Sequence, residues 1–376
     1  MFKYLFIFAI LFTPFSTILD SFFWMILGER TEVVTPSWIR LLDELLSVFI
    51  FLILFSRFLQ NKLIIFKINN LYNVFMILSI ISIIYSTFNN PILIILSGLK
   101  WFIYICLIGM FFYLEDEEKK YIYEKLISIL IILLILNLIL QLIQLISFAY
   151  YFSNTFFGLS QRTIGFFREP NTLTLFNVIT FYFIYMYMKD NFFKKIIIFC
   201  ILPISIILTG SITSLLTFVL IIALLNLRIS FVYFILIFLS LLLVFYIVAP
   251  YISFRPGLIN SVLVRLDILL NNVNFDNLIF SKFFGYGTNS AVLLKISDKI
   301  PESTIASLFI NVGVLATIIF YIMSFKLYKS KKGKILLMCI LSMGLTNDIF
   351  SAYPINLLIA FELSVLLVIL KEKKIC

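Results

Sequence analysis

The chain has no histidine in 376 residues. That removes the usual acid–base group at neutral pH and the commonest metal ligand. Cysteine is scarce: Cys106, Cys200 and Cys339 fall inside apolar runs, and Cys376 is the last residue. None is placed for an extracytoplasmic disulfide or a thiolate metal cluster. Charge is scarce too, at 13% of residues against 62% hydrophobic, a balance that excludes an ordinary soluble domain. No small-x-small cleavage site follows Lys3 and the apolar run from Tyr4, which continues past Asp20 to Leu27. An uncleaved first span is therefore expected. The two halves of the chain share no internal repeat, the mark of many transporters.

What the chain does have is a succession of apolar runs, several of 18 residues or more, enough to cross roughly 30 Å of hydrocarbon as helix. Long runs without strict alternation mean helices rather than a barrel, since backbone groups in lipid must be paired internally. The expected fold is all-α: a polytopic integral membrane protein, one domain over 1–376, with about twelve transmembrane helices. The spans fall near 4–27, 39–56, 70–88, 91–113, 126–149, 170–188, 196–209, 212–227, 229–249, 304–325, 335–350 and 355–370. Two larger extracytoplasmic loops remain, 150–169 and 250–303.

Basic residues orient this arrangement. Of 21 lysines, 17 fall in the segments on one side, from Lys3 through Lys326–Lys334 to Lys374. The rule that Lys and Arg accumulate on the cytoplasmic side makes that side, and both termini, cytoplasmic. The net charge of +10 is then accounted for by membrane anchoring and is no evidence for nucleic acid. Arginine runs the other way: Arg30, Arg40, Arg162, Arg168, Arg255 and Arg265 lie outside, and only Arg57 and Arg228 inside. A planar guanidinium grips phosphate or carboxylate with two prongs, which an ammonium cannot do. The outer arginines therefore point to an anionic ligand at the outer face.

The first outer loop ends in Arg162-Thr163-Ile164-Gly165-Phe166-Phe167-Arg168-Glu169-Pro170-Asn171. Glu169 has two readings there: a carboxylate that complements the N-terminal dipole of the helix opening at Pro170, or a chemical group. The second loop carries Arg255, then Ile259–Val273 with Arg265 and Asp267, then Gly285-Tyr286-Gly287. Val262, Leu266 and Leu269 share one helical face in Ile259–Val273. An amphipathic helix in the interface fits, holding Arg265 at head-group level; pairing with Asp267 is the plainer alternative. Within the spans the ionisable residues are Asp20, Lys100 and Glu362, with Asp348 near an outer end; each should face the bundle or a wet cavity.

Arg162-x-x-Gly165-x-Phe167-x-Glu169-Pro170-Asn171 resembles an element that opens a span in the O-antigen polymerase and ligase superfamily. Thr209-Gly210-Ser211-Ile212-Thr213 resembles that family's polar turn, with Ile212 where arginine commonly stands. The outer loop with spaced arginines, Gly285 and Gly287, and a span opening near Glu302-Ser303-Thr304 follow in the family's order. The resemblance implies a GT-C-like membrane glycosyltransferase acting on polyprenyl-diphosphate-linked oligosaccharide repeat units at the outer face, without cofactor or metal. It also implies a chain-length regulator protein as a partner. The family's ligases carry a histidine in the second large outer loop near the start of the following span; this chain has none, which favours polymerase over ligase. A flippase for the same lipid-linked sugar is the competing class, and it should concentrate charge along a midplane path. Arg162, Arg168, Arg255 and Arg265 are the expected diphosphate ligands, and Glu302 and Glu169 the expected carboxylates for proton transfer.

Overall fold

The computed structural model describes residues 2–14, 37–60, 70–146, 151–152, 161–167, 170–226, 279–285, 303–345 and 347–372. The described chain is all-helical apart from one antiparallel pair of two-residue strands, β1 Tyr151–Phe152 and β2 Gln161–Arg162. In chain order the helices are α1 Phe2–Leu11, α2 Ser37–Gln60, α3 Asn70–Thr87, α4 Ile92–Met110 and α5 Asp116–Ile146. After the strands come α6 Pro170–Tyr187, α7 Phe192–Ile196, α8 Leu202–Leu208 and α9 Ile212–Asn226. A π-helical turn over Ile197–Ile201 fuses α7 to α8. The last group is α10 Thr304–Val312, α11 Val314–Phe325, α12 Lys331–Gly344 and α13 Ile355–Glu372.

Local chemistry sets these limits. α5 begins on Asp116, Glu117 and Glu118, three carboxylates that favour the positive end of a helix dipole. α6 opens on Pro170, tolerated in a first turn. Ser303 and Ser330 cap α10 and α12, their hydroxyls accepting from Ala306 N and Gly333 N at 3.1 and 3.0 Å.

Side-chain contacts sort the helix ends into two groups. At one end the Lys3 ammonium lies 4.6 Å from the Tyr121 ring centroid, and Arg57 forks onto Glu118 at 2.5 and 3.0 Å. Tyr123 stacks on Tyr187 at 4.3 Å, and Lys332 covers the Tyr187 ring at 4.0 Å. This end gathers the starts of α1, α5 and α12 and the finishes of α2 and α6. The opposite end gathers the finishes of α3, α5, α8 and α12 and the starts of α4, α6 and α9. Just inside the lysine-rich end sits an aromatic cluster in which Phe6, Phe111 and Phe361 meet pairwise at 5.4–5.7 Å and Phe361 packs on Tyr123.

Polarity across the helices is inverted relative to a water-soluble bundle. α3 buries Ser79, Ser82 and Ser86 while Ile77, Ile80 and Ile84 stand exposed at 57, 45 and 54%. α5 buries Asn137, Gln141 and Gln144 and exposes Ile132, Leu136, Ile139 and Ile143. In water such apolar faces, along α3 and the second half of α5, are costly at roughly 25 cal/mol per Å². α3 and α5 are also the two described helices long and apolar enough to cross a bilayer.

Several span limits need correction. The expected run 304–325 is two helices, broken at Gly313, whose φ of 88° ends α10 and starts α11. The expected run 335–350 stops as helix at Gly344, because Thr304 and Asn347 pair across the position where another turn would go. α5 starts ten residues before the expected 126, since its acidic first turn continues the helix beyond the apolar run. In the expected 4–27, α1 ends at Leu11, and 15–36 lie outside the described residues. The expected span 229–249 and the amphipathic stretch Ile259–Val273 lie outside them too.

Candidate functional site

The arginine-bearing element is held by three amides on one face of α5. Gln144 Oε1 accepts from Ile164 N and Gly165 N, both at 3.0 Å, and its Nε2 donates to Gly165 O at 2.7 Å. Asn137 Oδ1 accepts from Phe166 N at 3.1 Å, and Gln141 Nε2 donates to Thr163 Oγ1 at 2.8 Å. All three amide side chains are fully buried. Spacing explains the grip: residues 137, 141 and 144 are four and three apart and so share one helical face. Gly165 takes φ 56°, and a Cβ there would stand 1.7 Å from Asn137 Oδ1, so only glycine fits as the segment stands.

The same element docks on the polar turn. Thr163 N and Oγ1 both donate to Leu208 O, at 3.0 and 2.9 Å, one residue before Thr209. Thr174 in the first turns of α6 contacts Thr209 Oγ1 at 3.4 Å, and Asn177 reaches Ser205 at 2.9 Å. From the turn, Ser214 leads across to Met343 near the end of α12. Thr304 then ties the start of α10 to the segment after α12: its N and Oγ1 donate to Asn347 O, and its Oγ1 accepts from Ile349 N.

The piece of the second loop that is described, 279–285, is bound just as tightly. Ser82 accepts from Ser281 N at 2.9 Å, Ser86 donates to Phe284 O at 3.1 Å, and Asn311 accepts from Gly285 N at 2.9 Å. Ser281 Oγ donates to Ile310 O, and Ser82 Oγ to Val312 O at 3.1 Å, so the two serines satisfy carbonyls beside the break at Gly313. Gly285 lies against α4: a Cβ built on Gly98 would come 2.3 Å from Gly285 Cα.

Thus the Arg162 element, the Thr209 turn, the start of α10 and the 279–285 piece all lie toward the same end of the bundle. Of the expected site residues themselves, Arg162 is placed by its backbone in β2, opposite Tyr151. Its side chain, and Arg168, Glu169, Arg255, Arg265 and Glu302, lie outside the described residues. Arg168 and Glu169 fall between the anchored Phe167 and Pro170, and Glu302 directly precedes the cap Ser303. Lys100 has no described side chain either. Among the described residues no three Cys, Asp or Glu side chains gather closely enough to hold a metal ion.

Asp348 is the carboxylate that is described here. It sits half-buried in the non-helical stretch between α12 and α13, accepting from Ser307 Oγ at 2.9 Å and Phe350 N at 3.1 Å. Glu362 is different: it is fully buried toward the lysine-rich end and accepts from Tyr123 (2.6 Å), Tyr182 (2.5 Å) and Tyr187. Three phenolic donors leave it satisfied, and it serves packing between α5, α6 and α13. Sequence reasoning passed over Asn137, Gln141 and Gln144, although three amides at helical spacing inside an apolar run were a readable signal. Comparison with protein families, with curated proteins and with solved structures finds no match for this chain.

Proposed function

We propose that this chain is a multi-pass protein of the bacterial cytoplasmic membrane, with both termini cytoplasmic, and that it polymerises polyprenyl-diphosphate-linked oligosaccharide repeat units. The membrane part of this reading rests on the inverted polarity of α3 and α5 and on the grouping of lysines at one end of the bundle. The catalytic part rests on one observation above all. The Arg162–Asn171 element, which resembles one motif of the polymerase and ligase superfamily, is hydrogen-bonded through Thr163 to Leu208, the residue directly before the Thr209 turn that resembles a second, separated motif.

The chemistry needs little from the protein beyond charge placement. Polyprenyl diphosphate is a good leaving group, and the demand is stabilisation of the oxyanions that develop as the anomeric C–O bond breaks. Guanidinium groups of Arg162, Arg168, Arg255 and Arg265 supply it, each charge-assisted contact being worth about 1.5–3 kcal/mol. The amide grip on Gly165 fixes the backbone of Ile164–Phe166, between Arg162 and Arg168 in the sequence. A carboxylate, Glu302 or Glu169, accepts the proton of the attacking hydroxyl. The surface polysaccharide made this way would reach its final length with a separate chain-length regulator.

Deleting the gene and resolving surface glycans on a gel tests this. In a host with an outer membrane, a polymerase deletion leaves lipid A core capped by a single repeat unit. A ligase deletion strands long polymer on the carrier, and a flippase deletion traps single units at the inner leaflet. A full polymer ladder on the carrier would end the polymerase reading. Replacing each of the four arginines by Lys, which keeps charge but loses the fork, should lower polymer production at normal protein levels.

A further inference from the structure

We propose that the end of α6, α7 and the start of α12 bind the headgroup of an acidic phospholipid of the cytoplasmic leaflet, its phosphate lying between Lys194 and Lys331. This rests on the membrane part of the reading above and is independent of the polymerase part. Anchoring asks for lysines on one side of the bilayer; it does not ask for them on one half of that side. Here the two halves differ. Residues 115–125, at the start of α5, carry five carboxylates against three lysines, and Lys119 pairs with Asp116 at 2.9 Å. Arg57, at the end of α2, is taken up by Glu118. Residues 185–196 and 326–334 carry eight lysines and one carboxylate, Asp190.

The way these lysines are held is a second observation. Lys194 Nζ and Lys331 Nζ lie 5.4 and 5.5 Å from the centroid of one ring, Tyr185, and Lys332 Nζ lies 4.0 Å from that of Tyr187. Lys194 also donates to Tyr185 O and Met188 O at 3.0 and 2.9 Å, which satisfies carbonyls at the end of α6 and fixes the ammonium there. No carboxylate among the described residues lies within ion-pair distance of Lys194, Lys331 or Lys332. The Glu362 charge reaches Lys332, but the Glu362 oxygens are occupied by the hydroxyls of Tyr123, Tyr182 and Tyr187. The sequence directly after α9 and at the end of α13 adds Arg228, Lys371, Lys373 and Lys374 against one carboxylate, Glu372. Ammonium groups gathered on one ring repel, and an anion between them turns that repulsion into attraction.

The surroundings decide which anion. Phe192 and Phe193, directly before Lys194 in α7, are 78 and 44% exposed, and Phe199 in the π-helical turn is 64% exposed. Ile204 and Ile207 continue this apolar surface along α8. A soluble anion would use the lysines and leave the phenylalanines in water. A phospholipid meets both, its phosphate on the ammonium groups and its acyl chains along the exposed aromatic and aliphatic side chains. Basic pockets between helices on the cytoplasmic side suit such headgroups. Bound there, the lipid ties α6 and α7 to α12 at the lysine-rich end.

The test uses full-length protein in detergent, with bound lipid counted by native mass spectrometry as phosphatidylglycerol or phosphatidylcholine is added. Wild type should bind phosphatidylglycerol about tenfold or more tightly than phosphatidylcholine. Equal uptake of the two overturns the inference before any variant is made. Lys331→Gln/Lys332→Gln should weaken phosphatidylglycerol binding by about 30-fold, the effect of removing two basic residues from an acidic surface. Lys119→Gln/Lys120→Gln removes the same charge from the other half and should leave binding unchanged; an equal loss there would reduce the effect to net charge and sink the site. Lys331→Arg/Lys332→Arg should keep the binding. Displacement of the lipid by inorganic phosphate or by polyglutamate would assign the patch to a soluble anion or an acidic peptide and overturn the lipid. A protein that stays soluble and monodisperse once detergent is removed would refute the membrane reading itself, and this inference with it.

Discussion

Replacing Gly165 by Ala tests the anchoring of the arginine element directly. The added methyl would sit 1.7 Å from Asn137 Oδ1 and 2.6 Å from its Cγ, so the amide must leave. Its bond to Phe166 N then goes, a net loss of about 1 kcal/mol. Alanine at φ 56° adds about 1–2 kcal/mol of backbone strain. The single variant should therefore be destabilised by about 2–3 kcal/mol. In an Asn137→Ala background the methyl meets no amide and the hydrogen bond is already gone. There the same substitution should cost only the backbone part, about 1–2 kcal/mol, leaving a coupling of about 1 kcal/mol. Equilibrium unfolding of the four proteins in mixed micelles with SDS measures the cycle, and polymer production reports the functional side. Equal costs in both backgrounds would refute the steric argument, and an unchanged midpoint for the single variant would refute the docking of this segment.

Two further outcomes follow from other parts of the molecule. Cysteines introduced at 155–160 and 275–290 should be labelled by an impermeant reagent in intact cells, and those at 329–334 should not; labelling of the latter would reverse the orientation. The Arg57 guanidinium, by hydrogen bonding first and by charge second, holds the Glu118 carboxyl below its usual range against the opposing effect of burial. A carboxyl depressed in the folded state contributes stability that is present above its unfolded value of about 4.3 and is lost as pH falls through the lower folded value. Acid unfolding of Glu118→Gln should accordingly show a weaker pH dependence below about pH 4.3 than the wild type, and an identical profile would remove the pair from the stability of the lysine-rich end.

Much of the helical layout was legible because apolar run length is a direct consequence of the solvent a helix meets. The expected 70–88, 212–227 and 355–370 share their starts with α3, α9 and α13 and differ from them by one or two residues at the C-terminal end. Runs that failed did so for specific reasons. Gly313 sits in a run apolar enough to read as one span, and Ser82 and Ser281, distant in sequence, satisfy the carbonyls of Val312 and Ile310 at the break. The stop at Gly344 depends likewise on Thr304, which lies 43 residues before its partner Asn347. For the site, sequence order pointed to the Arg162 element and the Thr209 turn but not to their contact. Asp348 stands near a span end in the sequence, but the Ser307 hydroxyl that holds it lies 41 residues earlier, and no local pattern links the two.

The bond from Ser82 to Val312 closes 230 residues of chain. Its implication is one of timing. α3 emerges from the ribosome early, with a row of buried serines on one side, long before α10 and α11 exist. Until they arrive, Ser82 has no Val312 carbonyl to serve, and when they arrive, their joint at Gly313 cannot settle without Ser82 and Ser281 both in place. The broken helix is therefore completed by residues synthesised in three separate stretches. The step that finishes it comes late, once α10 and α11 have been made, and a chain halted before residue 304 would have every partner of its arginine element but lack the Ile310 and Asn311 half of the anchor of 279–285.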